Sequence, residues 1–242
     1  MNFKKIVNQL KKSVKNLSSS GEDGVQKLYN EHEYLDAYMK HTDIRIEADS
    51  KSAIGGKWDE IGQLQFDFLV KAGLQETDKF LDIGCGTLRG GRHFIKLLSP
   101  NCYFGIDISS KAIEQANKLV EEEGLTAKNP HLSINLKKDL TFETLEEHRF
   151  DIILAQSVFT HLLQEHIEEC FANVGKIMHP KSRFFFTYFR GTESIVKNHK
   201  DFWYPASFFE ELADTYGFEL KDKSAEYNHP RNQIMMELRL KP

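Results

Sequence analysis

Cysteine is scarce in this chain: three in 242 residues, Cys85, Cys102 and Cys170, too few and too scattered for a disulfide framework or a thiolate zinc site. A reducing cytoplasm is therefore the expected location, and no metal site is expected. Basic charge is not in excess either. Thirty-two Lys and Arg against 36 Asp and Glu leave a formal charge of -4, which removes the general attraction on which nucleic-acid binding rests. No apolar run approaches the ~20 residues of a membrane span, and the lysine-rich N-terminus lacks the continuous apolar core of a secretory signal. Internal repeats and low-complexity segments are absent as well. A chain of this length is expected to bury one core, preceded by an N-terminal extension.

What is present centres on Lys79-Phe80-Leu81-Asp82-Ile83-Gly84-Cys85-Gly86-Thr87-Leu88-Arg89-Gly90-Gly91-Arg92. Residues 80–83 are apolar except for Asp82 and stop at glycines able to take the positive φ of a tight turn, the pattern of a strand feeding a turn. Phe94, Ile95, Leu97 and Leu98 then fall at helical spacing, so the turn should lead into a helix whose free N–H groups favour an anionic or electron-rich ligand. The nicotinamide fingerprint G-x-G-x-x-G fits poorly, because three residues, not two, separate Gly86 from Gly90. Asp82, two residues before the first glycine, would repel a pyrophosphate and attract a ligand that carries its own positive charge.

Ahead of this stretch, Phe3, Val7, Leu10, Val14 and Leu17 alternate spacings of four and three and form one seam on a helix over residues 1–17, surrounded by Lys4, Lys5, Lys11, Lys12 and Lys15. The seam docks either on the chain's own domain or a second copy, or on a membrane surface. Ser18-Ser19-Ser20-Gly21 reads as a flexible joint, residues 25–39 as a helix, His41-Thr42-Asp43 and Gly55-Gly56 as loops, and residues 58–69 as a further helix. After the glycine turn come a strand at 102–107 ending in Asp107, a helix at 111–122 closed by Gly124, and a strand at 131–136 followed by Asp139. A strand at 150–155 then enters a loop at Gln156-Ser157, a helix spans 166–178, and a fifth strand covers 183–188. This alternation implies right-handed crossovers and a doubly wound, mostly parallel α/β sheet. Pro205 and a capping box of Ser207 with Glu210 open a last helix that Gly217 closes. Strands at 219–227 and 234–240 follow with no helix between them, an antiparallel hairpin at the sheet edge.

Asp82-Ile83-Gly84-Cys85-Gly86 with Gly90, Asp107 about 20 residues beyond the turn, and Phe150-Asp151-Ile152-Ile153 together resemble the class I S-adenosylmethionine (SAM)-dependent methyltransferases. The resemblance covers roughly residues 58–240 and implies the Rossmann-like, seven-stranded sheet of that family with its last strand reversed. It also implies SAM as cofactor and S-adenosylhomocysteine as product. On the family's pattern Asp82, Gly84, Cys85 and Gly86 lie against the amino-acid part of SAM, Asp107 with Ile108 holds the ribose hydroxyls, Asp139 with Leu140 reaches the adenine, and Gln156 and Ser157 border the methionine part. Taken singly, Asp107 and Asp139 also suit turn or helix caps. Trp58 either packs on the cofactor or caps the core, and Arg89 either pairs with the SAM carboxylate or stays on the surface of the first helical turn. Many members carry Pro-Gly-Gly where this chain has Pro180-Lys181-Ser182, a structural turn away from the cofactor. The expected division is a basic helix and joint at 1–20, a helical cap at 21–69 and the SAM-binding domain at 70–242.

Methyl transfer is mainly in-line positioning, with a base where the acceptor must lose a proton. His161, just after the fourth strand, is the candidate base, although histidine also serves as a plain helix-start residue. Tyr188 is the candidate for orienting the acceptor, and Tyr188 and Arg190 end the fifth strand at the edge where such sheets bind ligands. His229 and Arg231 lie in the final hairpin, where Arg231 either points inward to an acidic substrate or sits at a solvated tip. The Asn/Asp-Pro-Pro-aromatic motif of DNA amino-methyltransferases is absent at Ala155-Gln156-Ser157-Val158. The Trp58 to Phe68 block and His229-Pro230-Arg231 resemble bacterial methyltransferases of surface-glycan and natural-product pathways, a resemblance that implies a small polar acceptor, a hydroxyl of a nucleotide-linked sugar or related metabolite. The alternative is a SAM-binding module without catalysis that regulates or scaffolds.

Overall fold

β1 (Phe80–Ile83) is buried along its whole length and occupies the middle of the sheet. It pairs in parallel with β2 (Tyr103–Asp107) on one side and β4 (Phe150–Ala155) on the other. β3 (His131–Ile134) continues the sheet beyond β2 and β5 (Met178–Arg190) beyond β4, again in parallel. Strands buried on both faces need near-continuous apolar sequence, which is why Asp82 stands out within β1. The computed structural model describes residues 21–49, 56–197 and 199–242. The seam at residues 1–17 and the joint at 18–20 lie outside the described residues.

Side chains alternate between two buried layers. Leu81, Phe104, Ile153, Phe184 and Phe186 meet Phe171 of α6 (Gln164–Val174) and Phe209 of α7 (Ala206–Thr215) on one face. Phe80, Tyr103, Ile152 and Phe185 meet Phe68 of α3 (Trp58–Lys71), Phe94 of α4 (Gly91–Leu97) and Ile113 of α5 (Ser110–Glu122) on the other. α3 is thereby part of the core. β8 (Phe218–Asp222) and β9 (Gln233–Leu240) are antiparallel, and β9 slots antiparallel between β8 and β5. This is the reversed last strand that the sequence implies. It buries Glu237, which accepts from Nε of Arg183 and Nε of Arg239 at 2.6 and 2.7 Å. Burial alone would raise this carboxyl; the two arginines outweigh it and hold it below the usual range.

The sheet has nine strands, two more than the family's seven. The addition is a short hairpin of β6 (Ile195–Lys197) and β7 (Asp201–Tyr204). β7 pairs in parallel with Phe189 and Arg190 of β5. Because β9 already holds the other edge of Phe189 through Gln233, β7 must use the edge that β4 vacates after Ala155. The hairpin therefore continues the sheet past the C-terminal end of β4.

The N-terminal helices also differ from the sequence reading. The helix expected over 25–39 is broken into α1 (Gly21–Glu31) and α2 (Tyr34–Ala48), and His41-Thr42-Asp43 is helical rather than a loop. Tertiary contacts explain this: Ser109 Oγ donates to Asp43 at 2.5 Å, Tyr34 OH donates to the His161 carbonyl at 2.7 Å, and Lys138 pairs with Asp36. At α7 the N-cap is Pro205 with no side-chain bond, so the expected Ser207–Glu210 box does not form. No helix among the described residues is long and apolar enough to cross a membrane.

Candidate active site

A cavity of about 720 Å³ opens at the C-terminal ends of β1, β2 and β4, where α2, the loop after β4, the start of β7 and the connection into β9 converge. That volume is in the range of small-molecule sites, about 300–1,000 Å³. Its floor is the glycine turn. Gly84 and Gly86 take φ of 67° and 55°, and a Cβ on Gly84 would stand 2.7 Å from Val158 Cγ2, so only glycine leaves this space open.

Three carboxyls line the inner part. Asp82 accepts from Tyr103 OH at 2.7 Å and is otherwise enclosed. Burial pushes it up to about 7, against the opposing effect of that hydrogen bond; the nearby Asp107 adds to the rise and Arg89 counters it. Asp107 ends β2 and ties the turn together, accepting from Gly86 N at 2.9 Å and Ser109 N at 2.8 Å. Burial raises it as well. Asp139 accepts from Thr141 Oγ1 at 2.9 Å, and its backbone carbonyl accepts from Asn135. Ile108, Leu140 and Cys85 add apolar lining around them. Arg89 lies beside Asp82, 7% exposed, with its guanidinium drawn down to about 10 chiefly by burial. It lines the cavity and is not a surface arginine.

Gln156 and Ser157 leave β4 into a buried polar knot. Gln233 Oε1 accepts from Gln156 Nε2, Ser157 Oγ and Thr187 Oγ1 at 2.8 to 3.0 Å. Tyr227 OH donates to Gln156 Oε1 at 2.8 Å, and Ser157 N donates to Thr187 Oγ1 at 2.7 Å. Ser157 sits at φ 59°, a left-handed conformation that costs a non-glycine residue and is held here by those bonds.

His161 faces the outer part. Its Nδ1 is 2.8 Å from the Lys200 carbonyl and 3.2 Å from Asp201 Oδ1. A carbonyl only accepts, so Nδ1 carries the hydrogen and the Nε2 lone pair of the neutral ring is left for a proton. The Tyr38 ring lies over it at 5.3 Å. Arg45, Lys200 and Arg231 line the same region. Lys200 is drawn down to about 8 by burial and by Arg45, with Asp201 opposing and Arg231 assisting. His229, 4% exposed, is pulled down to about 4 by burial and by the cations Arg89, Arg231 and Lys57.

Fourteen of the seventeen sequence candidates line this one cavity: Asp82, Gly84, Cys85, Gly86, Arg89, Asp107, Ile108, Asp139, Leu140, Gln156, Ser157, His161, His229 and Arg231. Three do not. Tyr188 is fully buried in the opposite layer with its ring 4.4 Å from Phe209; on a strand the neighbours Thr187 and Phe189 face the site instead. Arg190 shares that opposite face, where it pairs with Asp222 at 2.6 Å. Trp58 is buried at the start of α3 with Arg92 5.7 Å from its ring centroid, and Ile61 and Gln65 of the same helix reach the cavity in its place. Sequence reading missed Tyr38, Arg45, Lys200, Asp201 and Gln233. Tyr38, Thr42 and Arg45 share one helical face, visible once α2 is carried through residues 41–43; nothing in the local sequence marks Lys200 and Asp201. Among the described residues no group of three His, Cys, Asp or Glu is placed to hold a metal ion.

Residues 81–184 match a family described as a methyltransferase domain. Among solved structures, the chain is similar to a SAM-dependent methyltransferase of Leishmania major, with 14% identity and a TM-score of 0.65 over 88% of this chain and 84% of that one. A SAM-dependent methyltransferase from Clostridium acetobutylicum aligns at 13% identity and a TM-score of 0.58, over 86% of this chain and 99% of that one. The magnesium protoporphyrin IX methyltransferase of Synechocystis, solved with bound SAM, aligns at 15% and 0.56, over 74% and 80%. At these identities the likeness is one of fold.

Proposed function

We propose that this chain, whose residues 81–184 match a methyltransferase domain and whose fold is that of class I methyltransferases, moves the methyl group of SAM to a hydroxyl of a small polar acceptor, a sugar or related metabolite, with His161 as the base. The cofactor is SAM, and the inner part of the cavity fits it. A buried carboxyl raised to about 7, with one tyrosine hydroxyl as its hydrogen-bond donor, is poised to ionise against a ligand ammonium. Asp82 would hold that ammonium, Arg89 the carboxylate, and Asp107 the ribose hydroxyls through lone pairs not used by Gly86 N and Ser109 N. Asp139 and Leu140 would border the adenine. When bound, SAM supplies a methyl group on a sulfonium, already activated for displacement.

The observation that carries the reading is the orientation of His161. Its Nδ1–H is fixed by the Lys200 carbonyl and by Asp201, which leaves the Nε2 lone pair as the base of a residue that lines the same cavity as Asp82 and the glycine turn. Asp201 steadies the ring and compensates the charge that develops when Nε2 takes the acceptor proton. A positioned base contributes typically ~10²–10⁴-fold. His161→Ala is therefore expected to lower kcat by about a hundredfold or more with SAM affinity unchanged. A purified-enzyme screen with labelled SAM and small polar acceptors supplies the substrate for that measurement. Near wild-type turnover of a hydroxyl acceptor by the variant removes His161 from the mechanism. Tight SAM binding with transfer to no acceptor favours the binding module over the enzyme.

A further inference from the structure

We propose that His229 belongs to the cofactor site, where its Nε2–H donates a neutral hydrogen bond to the carboxylate in the methionine part of SAM, beside Arg89. This rests on the reading of the inner cavity as the SAM site and adds to it a residue from the far end of the chain.

The ring is held in one orientation before any ligand arrives. His229 N donates to the Tyr227 carbonyl and Asn232 N to the His229 carbonyl, both at 2.9 Å, which closes a tight turn around Pro230. Within that turn the Arg231 backbone N–H donates to His229 Nδ1 at 3.3 Å. A backbone N–H only donates, so Nδ1 is the acceptor and the neutral ring carries its hydrogen on Nε2. The imidazole also stacks on Tyr227, with ring centroids 5.8 Å apart, and Tyr227 is itself tied to Gln156 through its hydroxyl. Backbone turn, Nδ1 bond and stacking together fix where Nε2–H lies.

That Nε2–H is the unsatisfied end of the ring. His229 lines the cavity and is 4% exposed, yet its Nε2 is enclosed with no hydrogen-bond partner among the described residues. A buried donor without an acceptor has lost its hydration and gained nothing in return, so an oxygen brought by a ligand removes that deficit. Native folds rarely keep such a donor without a use for it.

The neighbours of His229 indicate which oxygen this is. Of the charged groups that act on the ring, Arg89 is the strongest, ahead of Arg231 and Lys57, and burial with these cations holds the ring at about 4. Arg89 in turn stands beside Asp82. Gln65 of α3 lines the same cavity, its amide oxygen so near Gly90 that a Cβ there would overlap it. His229 therefore shares the end of the cavity that Asp82 and Arg89 give to the amino-acid part of the cofactor. A carboxylate there carries one negative charge, opposite to that of Arg89. A second donor that stays neutral adds a bond and a direction without adding charge, and a ring at about 4 is neutral throughout the physiological range.

The test titrates the full chain calorimetrically with S-adenosylhomocysteine, with its decarboxylated analogue, and with methylthioadenosine, which lacks the whole amino-acid part. His229→Leu removes the donor and should weaken S-adenosylhomocysteine about tenfold or more, the loss of one hydrogen bond to a charged group, while the other two ligands stay within about twofold. His229→Gln, whose amide donates from near the Nε2 position, should keep most of the affinity. In the wild type carrying nitrogen-labelled histidine, the Nε2–H proton resonance should move downfield on adding S-adenosylhomocysteine and stay in place on adding methylthioadenosine. Unchanged S-adenosylhomocysteine affinity in His229→Leu, an equal loss for all three ligands, or an Nε2–H resonance indifferent to S-adenosylhomocysteine overturns the proposal. Wild-type protein that binds neither S-adenosylhomocysteine nor methylthioadenosine overturns the cofactor reading itself.

Discussion

Asp82 makes the cofactor assignment measurable without an acceptor. In the free protein its carboxyl is held at about 7, so at pH 5, two units lower, it is ~99% protonated. A cationic ammonium bound against it favours the carboxylate and returns the group towards its ordinary ~3.9, so binding must release a proton below pH 7. The apparent affinity for S-adenosylhomocysteine should then rise about 100-fold from pH 5 to pH 8, one decade per unit in the steep part and level above 7. The sign for folding is opposite. A carboxyl whose folded value is raised binds more protons in the folded state, so the free protein should lose stability as pH climbs from about 4 to 7, and bound ligand should reverse this. Calorimetric titrations at half-unit intervals, in buffer pairs, report both affinity and proton release. Asp82→Asn should flatten the profile. A wild-type affinity that changes less than about threefold across this range, or a slope that persists in Asp82→Asn, refutes the reasoning.

Asp107→Ala should weaken SAM binding by ~1–3 kcal/mol, measured by calorimetry, if the carboxylate holds the ribose; NAD should show no binding in the same cell. Asp201→Asn should lower kcat but less than His161→Ala does, because the Lys200 carbonyl still fixes the tautomer. Tyr188→Phe should leave turnover within about twofold and cost about 1 kcal/mol in a denaturant melt, since the change removes one hydrogen bond from Arg190 in the layer away from the cavity. Glu237→Gln should cost about 3 kcal/mol by the same melt, because Arg183 and Arg239 then keep charge without their buried partner.

The sheet and the inner site were legible because their determinants are local. The apolar run at 80–83, the glycines after it and the acids ending β1 and β2 each act within a few residues of where they are read. Facing was harder. Tyr188 and Phe189 differ by one position on a strand, and only the register with β9 decides which one meets the cavity. The outer site was almost invisible for a different reason. β7 pairs with the end of β5 only because β4 stops early, so the approach of Lys200 and Asp201 to His161 is a property of strand lengths rather than of any motif. α2 was misread where Asp43 gains a partner in Ser109, 66 positions away, which no local propensity records.

α2 is fastened at both ends of the cavity. Its Asp43 takes the hydroxyl of Ser109 beside Asp107, while Tyr34 holds the backbone of His161 and Arg45 lines the outer wall. Any displacement of this helix would therefore disturb both parts of the cavity at once. On the proposed methyl-transfer reading, cofactor exchange and acceptor release would then be one event, so an acceptor with several sites should leave as a mixture of partly methylated forms, which mass spectrometry of the early product would show.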